Sequence, residues 1–250
     1  MKTDINRRDF IAASAAMIAA TQQPLPAPAR IGAIANPPPP PGGTVVLFQG
    51  DSITDCGRDR NSPAPNQAGA LGDGYPLLVA AAALAAKPAD GLQFFNRGIS
   101  GNKVPDLEQR WERDALDFKP DVLSTLIGVN DFWHKLDHGY TGTVQDYERQ
   151  YAALLDATRR ALPRVRLIVL EPFVLRTGAV GARWFPEFDQ RRAAAARVAA
   201  QAKATFVPLQ AVFDNRVKST PPEYWAADGV HPTPAGHGII AEQWRRAAHI

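Results

Sequence analysis

Five short apolar runs, each followed by a stretch of loop or helical character, constrain this chain more than any other feature. Thr44 to Gly50 contains Val45-Val46-Leu47-Phe48, whose unbroken apolar character fits a strand covered on both faces. Leu92 to Asn96, Asp121 to Ile127, Val165 to Leu170 and the short Thr205 to Pro208 repeat the signal. Between them Tyr75 to Ala86 is rich in Ala and Leu, and Val104 to Asp117 reads as an amphipathic helix. Thr143 to Leu162 starts at a Thr cap and stops before Pro163, Glu187 to Lys203 is the next helix, and a last helix is capped by Thr233 with Pro234 in its first turn. Alternation of this kind calls for an α/β domain built on a central five-stranded parallel sheet with helices on both faces. A chain of 250 residues has room for one sizeable core of that type.

The domain is expected at 44–250. Ahead of it, Asn6-Arg7-Arg8-Asp9-Phe10-Ile11 is a twin-arginine pattern followed by a weakly apolar run, Ile11 to Ala20, too short to span a bilayer. Ala27-Pro28-Ala29, or alternatively Ala33-Ile34-Ala35, offers small residues for cleavage. Residues 1–29 are therefore read as a twin-arginine signal peptide and 30–43, with the run Pro37 to Pro41, as a stiff spacer. The expected location is periplasmic or secreted, without stable membrane association once the leader is removed. A formal charge of +3, with basic residues scattered, gives no footprint for nucleic acid. Cys56 is the one cysteine, so no internal disulfide forms, and it is expected to pack near the site.

In open parallel sheets, ligands bind beyond the carboxyl ends of the strands. Gly50-Asp51-Ser52 comes after the first strand, Gly98 after the second and Asn130 after the third, while Asp228-Gly229-Val230-His231 precedes the last helix. A serine hydroxyl becomes a nucleophile only when a base takes its proton. His231 can be that base and Asp228 the carboxylate that orients it, because their spacing lets one turn aim both side chains at one point. The Ser52 and Gly98 backbone N–H groups and the Asn130 side-chain amide are the expected oxyanion donors. Each residue alone also fits a cap, a turn or a surface loop. Their joint placement at strand and helix termini favours the catalytic reading.

These four blocks resemble those of the SGNH hydrolases, also called the GDSL esterase and lipase family, matched here by Ser52, Gly98, Asn130 and His231. Ile53 stands where the family nickname has Leu. The resemblance implies a three-layer, flavodoxin-like α/β/α fold, a Ser-His-Asp triad, and no cofactor or metal. Asp51-Ser52-Ile53-Thr54-Asp55-Cys56-Gly57-Arg58, Leu71-Gly72-Asp73-Gly74-Tyr75, Asn96-Arg97-Gly98-Ile99-Ser100-Gly101-Asn102 and Gly128-Val129-Asn130-Asp131-Phe132-Trp133 look like the bacterial acetylxylan esterase branch. That implies a small-molecule or oligosaccharide ester substrate carrying acetyl groups. Asp51, Tyr75 and Trp133 are the residues expected to contact it, the two aromatics by stacking on a pyranose, with core or rim packing as their alternative.

A lysophospholipase or thioesterase acting on long acyl chains is the rival within the same chemistry, and a non-catalytic carbohydrate-binding protein is the rival outside it. No Gly-x-Ser-x-Gly elbow is present, which argues against an α/β-hydrolase. His134 and His138 have metal-pair spacing, but no Glu follows His134 as a zinc-protease helix requires. His237 is expected to pack or face solvent, Glu171 to make a structural hydrogen bond, and Arg58 to pair with Asp59 or Asp73. Tyr224 and Trp225 could serve a homo-oligomer contact.

Overall fold

The computed structural model describes residues 43–250. Apart from Gly43, the expected leader, its cleavage sites and the proline spacer lie outside the described residues.

The sheet comprises β1 (Val45–Gly50), β2 (Gln93–Asn96), β3 (Val122–Leu126), β4 (Arg166–Leu170) and β5 (Thr205–Val207). All pairings are parallel, in the order β2-β1-β3-β4-β5. This is the flavodoxin-like doubly wound order, with its switch point between β1 and β3. The main helices are α1 (Tyr75–Ala86), α2 (Val129–Asp137), α3 (Val144–Ala161), α4 (Glu187–Gln201), α5 (Leu209–Arg216) and α6 (Pro234–Ala248).

Because successive strand side chains point to opposite faces, the central strands feed two cores. Val46, Phe48, Val122, Leu126, Ile168 and Leu170 pack with Val79 and Ala83 of α1 and with Ile240 and Trp244 of α6. Leu47, Leu123, Leu167 and Val169 pack with Tyr151 and Leu155 of α3 and with Ala195 and Val198 of α4. The result is the expected three-layer α/β/α sandwich. Burying each large apolar side chain contributes about 1.5–3 kcal/mol of transfer free energy. A polar pair sits inside this packing: Trp244 Nε1 donates to Ser124 Oγ at 2.8 Å, pinning the last helix to the middle of β3.

Two expectations change, and further elements are added. Val104 to Asp117 is not one helix but three short pieces, Val104–Glu108, Trp111–Asp114 and the 3-10 turn Leu116–Phe118. Its break is stabilised from the side, since Gln49 Nε2 donates to the Asp114 carbonyl at 2.5 Å. The motif Gly128 to Asp131 is not only a strand end, because α2 starts within it. The structure also adds elements that the apolar pattern does not announce: the helical turns Ser52–Asp55 and Ala68–Leu71, and α5 directly after β5.

Candidate active site

At the end of β1 the chain turns through Asp51, whose Oδ1 accepts from the Ile53 amide at 3.0 Å and caps the turn Ser52–Asp55. Ser52 therefore stands at the first position of a helical turn, half-buried at the rim of the sheet. Its Oγ lies 2.8 Å from His231 Nε2, and His231 Nδ1 lies 2.6 Å from Asp228 Oδ2. A carboxylate can only accept, so Nδ1 carries the hydrogen and Nε2 is left as the acceptor for the serine hydroxyl. The other Asp228 oxygen accepts from the Val230 and His231 amides at 2.9 and 2.7 Å. Burial works to raise the Asp228 carboxyl, but the hydrogen bonds from the His231 ring and these two amides hold it below its ordinary value.

The loop carrying Asp228 and His231 is fastened from below. Leu175 N donates to the Gly229 carbonyl at 2.8 Å and Ala179 N to the Asp228 carbonyl at 2.9 Å. Gly229 has φ +85°, and a Cβ there would lie 2.5 Å or less from the Leu175 and Thr177 carbonyls. Val230 is wholly buried, so the histidine is held by a core residue on one side and by Pro232 on the other.

The loop 97–102 packs against the turn that carries Ser52. Asp55 Oδ2 accepts from the Ser100 amide and hydroxyl, each at 2.8 Å, tying that loop to the turn of the serine. Asn130, in the first turn of α2, is buried and directs Nδ2 to the Asn102 carbonyl at 3.1 Å. A primary amide has a second N–H, which this bond leaves over.

Gly98 requires a correction. Its N–H donates to Asn96 Oδ1 at 2.9 Å, and its carbonyl accepts from Arg58 Nε at 2.8 Å, so its polar groups are committed to the protein. Its lack of a side chain serves packing: a Cβ there would sit 2.5 Å from the Asp55 amide nitrogen. Gly101, in the same loop and not singled out from the sequence, has an N–H without a protein acceptor among the described residues. A signal for the Gly98 commitment is present, because an Asn two residues before a Gly is an Asx-turn pattern that consumes the glycine amide.

Two expected substrate contacts are also corrected. Tyr75 has no exposed surface; its hydroxyl meets Thr54 Oγ1 at 3.0 Å and its ring lies edge-on to Phe48. Asp51 is 1% exposed, and burial raises its carboxyl to about 7, against the lowering effect of the Ile53 amide. Neither offers a surface to a sugar. Trp133 is half-buried at the rim, its ring centroid 5.9 Å from that of His231 and 5.7 Å from that of Trp184, with Nε1 donating to Asp137 Oδ2 at 3.0 Å.

Other singled-out residues have structural partners. Arg58 faces Asp55 at 3.9 Å rather than Asp59 or Asp73. His237 packs: Nδ1 accepts from the Tyr75 amide at 3.1 Å, Nε2 lies 3.5 Å from Cys56 Sγ, and burial lowers the imidazole to about 4. Glu171 accepts from Arg192 Nε and from the Gln210 amide, each at 3.0 Å. The His134 and His138 rings lie 4.8 Å apart on and just past α2.

The chain is similar to known proteins over most of its length. Residues 48–239 match a model of the GDSL-like lipase/acylhydrolase family. An acetylxylan esterase from Geobacillus stearothermophilus is 37% identical over 206 residues, spanning 82% of this chain and 93% of the relative. A crystal structure of an acetylxylan esterase from the same organism superposes with a TM-score of 0.73 at 35% identity, covering 83% of this chain and 96% of that one. A structure from Parabacteroides merdae that carries the description GDSL-like lipase gives 0.81 at 50% identity, covering 82% and 95%.

Proposed function

The chain belongs to the GDSL-like lipase/acylhydrolase family and is a carboxylic ester hydrolase, and from that premise we propose that it removes acetyl groups from xylan or xylo-oligosaccharides through an acyl-enzyme on Ser52. The observation that carries the reading is the continuous line Ser52 Oγ, His231, Asp228, at 2.8 and 2.6 Å, in a chain related over most of its length to an acetylxylan esterase.

In the proposed reaction Ser52 Oγ attacks the acetyl carbonyl while His231 Nε2 takes its proton. The sugar alcohol leaves with that proton, and His231 then activates water to release acetate from the serine. Asp228 stays ionised and holds the imidazole in the required tautomer. The oxyanion is assigned to the Ser52 N–H, the free Asn130 N–H and the Gly101 N–H, with Gly101 replacing Gly98. Trp133 is assigned to the sugar side of the cleft on the strength of its place beside His231.

The test compares acetate release from acetylated xylo-oligosaccharides with turnover of octanoyl esters and lysophospholipid, using Ser52→Ala as control. Acetyl preference supports the reading. Faster turnover of the long-chain esters replaces it with the lipase-type reading. Sugar binding with neither turnover nor labelling by a serine-directed phosphonate replaces it with a non-catalytic carbohydrate binder.

Residues 1–29 are proposed as a twin-arginine leader and 30–43 as a spacer, placing the enzyme in the periplasm or outside the cell, on the strength of Arg7-Arg8 and the proline run.

A further inference from the structure

The Asn130 amide is set by a residue with its own anchor. Asn102 offers its carbonyl to Asn130 Nδ2, and its side chain is held in turn, Oδ1 accepting from Arg110 Nε at 2.9 Å. Arg110 is buried, donates Nη1 to the Arg97 carbonyl at 2.8 Å, and is fixed behind by Asp114 at 3.3 Å. A rigid buried cation thus connects through one half-buried asparagine to the candidate oxyanion amide.

The need for such a connection comes from torsional freedom. The terminal torsion of an asparagine is broad, so an untethered amide samples many planes. Stabilising a developing oxyanion depends on donors already aimed at it. Committing one N–H of Asn130 to a fixed carbonyl sets the direction of the other.

We propose that Asn102, anchored by Arg110, is a positioning residue that fixes the plane of the Asn130 amide for the oxyanion. This rests on the reading of Asn130 as an oxyanion donor.

The test is a double-mutant cycle on p-nitrophenyl acetate, with each rate taken well below that variant's melting midpoint. Asn130→Ala is expected to lower kcat by about 10²- to 10³-fold. Asn102→Ala should lower kcat by roughly 10-fold, a fraction of that donor loss, with KM nearly unchanged. In the Asn130→Ala background the same change should cost less than about 2-fold, since the group it aims is gone. Asn102→Asp, which keeps an acceptor for Arg110, should recover most of the loss. An equal loss in both backgrounds, an Asp variant as slow as Ala, or an unchanged Asn102→Ala overturns the proposal while leaving Asn130 as donor. Wild-type turnover by Asn130→Ala removes the donor reading, and the proposal with it.

Discussion

Gly98 lies so close to the turn bearing the candidate nucleophile that a Cβ on it would come within 2.5 Å of the Asp55 amide nitrogen. That atom is backbone and cannot swing aside. Gly98→Ala should therefore displace the Ser52–Asp55 turn, cost about 1–3 kcal/mol of stability as overpacking does, and lower esterase activity at temperatures where the variant is fully folded. Thermal melting beside acetyl-ester kinetics checks this. A variant with wild-type stability would show that the contact is not tight.

Asp228→Asn leaves the shape of the turn but offers a donor where His231 Nδ1–H needs an acceptor at 2.6 Å. The expected loss in kcat is on the order of 10⁴-fold, the size of the corresponding change in serine proteases, with KM altered little. Steady-state kinetics on an acetyl ester measures it, and a loss below about tenfold would mean that the carboxylate does not set the tautomer.

Asp51 gives a pH-dependent prediction. Its folded value, raised to about 7, lies above the ordinary 3.8 because ionisation in the core is unfavourable. The native state therefore holds the proton more tightly than the unfolded state. The stabilising contribution is whole below about pH 3.8 and is lost as pH rises through 7. Asp51→Asn mimics the protonated form and keeps an oxygen for the Ile53 amide. Its melting temperature should match wild type near about pH 4 and exceed it at about pH 8. Equal differences at both pH values would contradict the assignment.

Trp133→Ala should discriminate between substrates. If the ring serves the sugar, KM for acetylated xylo-oligosaccharide rises by roughly 2- to 12-fold, from the ~0.5–1.5 kcal/mol of an aromatic contact, while p-nitrophenyl acetate is hydrolysed nearly as before. A parallel loss on both substrates would instead make Trp133 a support for His231.

Replacing Arg7 and Arg8 by Lys should leave the protein in the cytoplasm of an exporting bacterium, with activity assayed in separated fractions. Undiminished periplasmic activity would remove the leader assignment.

Much of the site is legible in the sequence because its residues sit at ends of elements that announce themselves. Ser52 and Asn130 stand just past apolar runs, and the Asp228/His231 turn stands just before a capped helix. Gly98 is harder to assign, since its place at a strand end suggests a free amide, whereas the fate of that amide depends on the Asn96 side chain, visible only in three-dimensional packing or through an Asx-turn reading. Tyr75 and Asp51 mislead for another reason: residues close in sequence to a nucleophile, or in a motif beside it, are easily taken as neighbours of its substrate. Both instead fill the core beneath it. The helix α2 escapes notice because its nine residues fall short of the roughly 11–18 over which a helical period is read. Val104 to Asp117 shows a helical amphipathic pattern, but local pattern carries no information about Gln49 reaching the Asp114 carbonyl from a separate strand.

Ser52 and His231 are separated by 179 positions in the chain, and all five strands precede the histidine. During synthesis the serine, its turn and every strand of the sheet are made before the proposed base exists to activate the hydroxyl. On the proposed mechanism, a nascent chain that stops short of the Asp228/His231 turn carries an inert alcohol, and hydrolytic competence begins only once that turn is in place. On the proposed route of export in the folded state, this arrangement makes activity itself a report on completed folding.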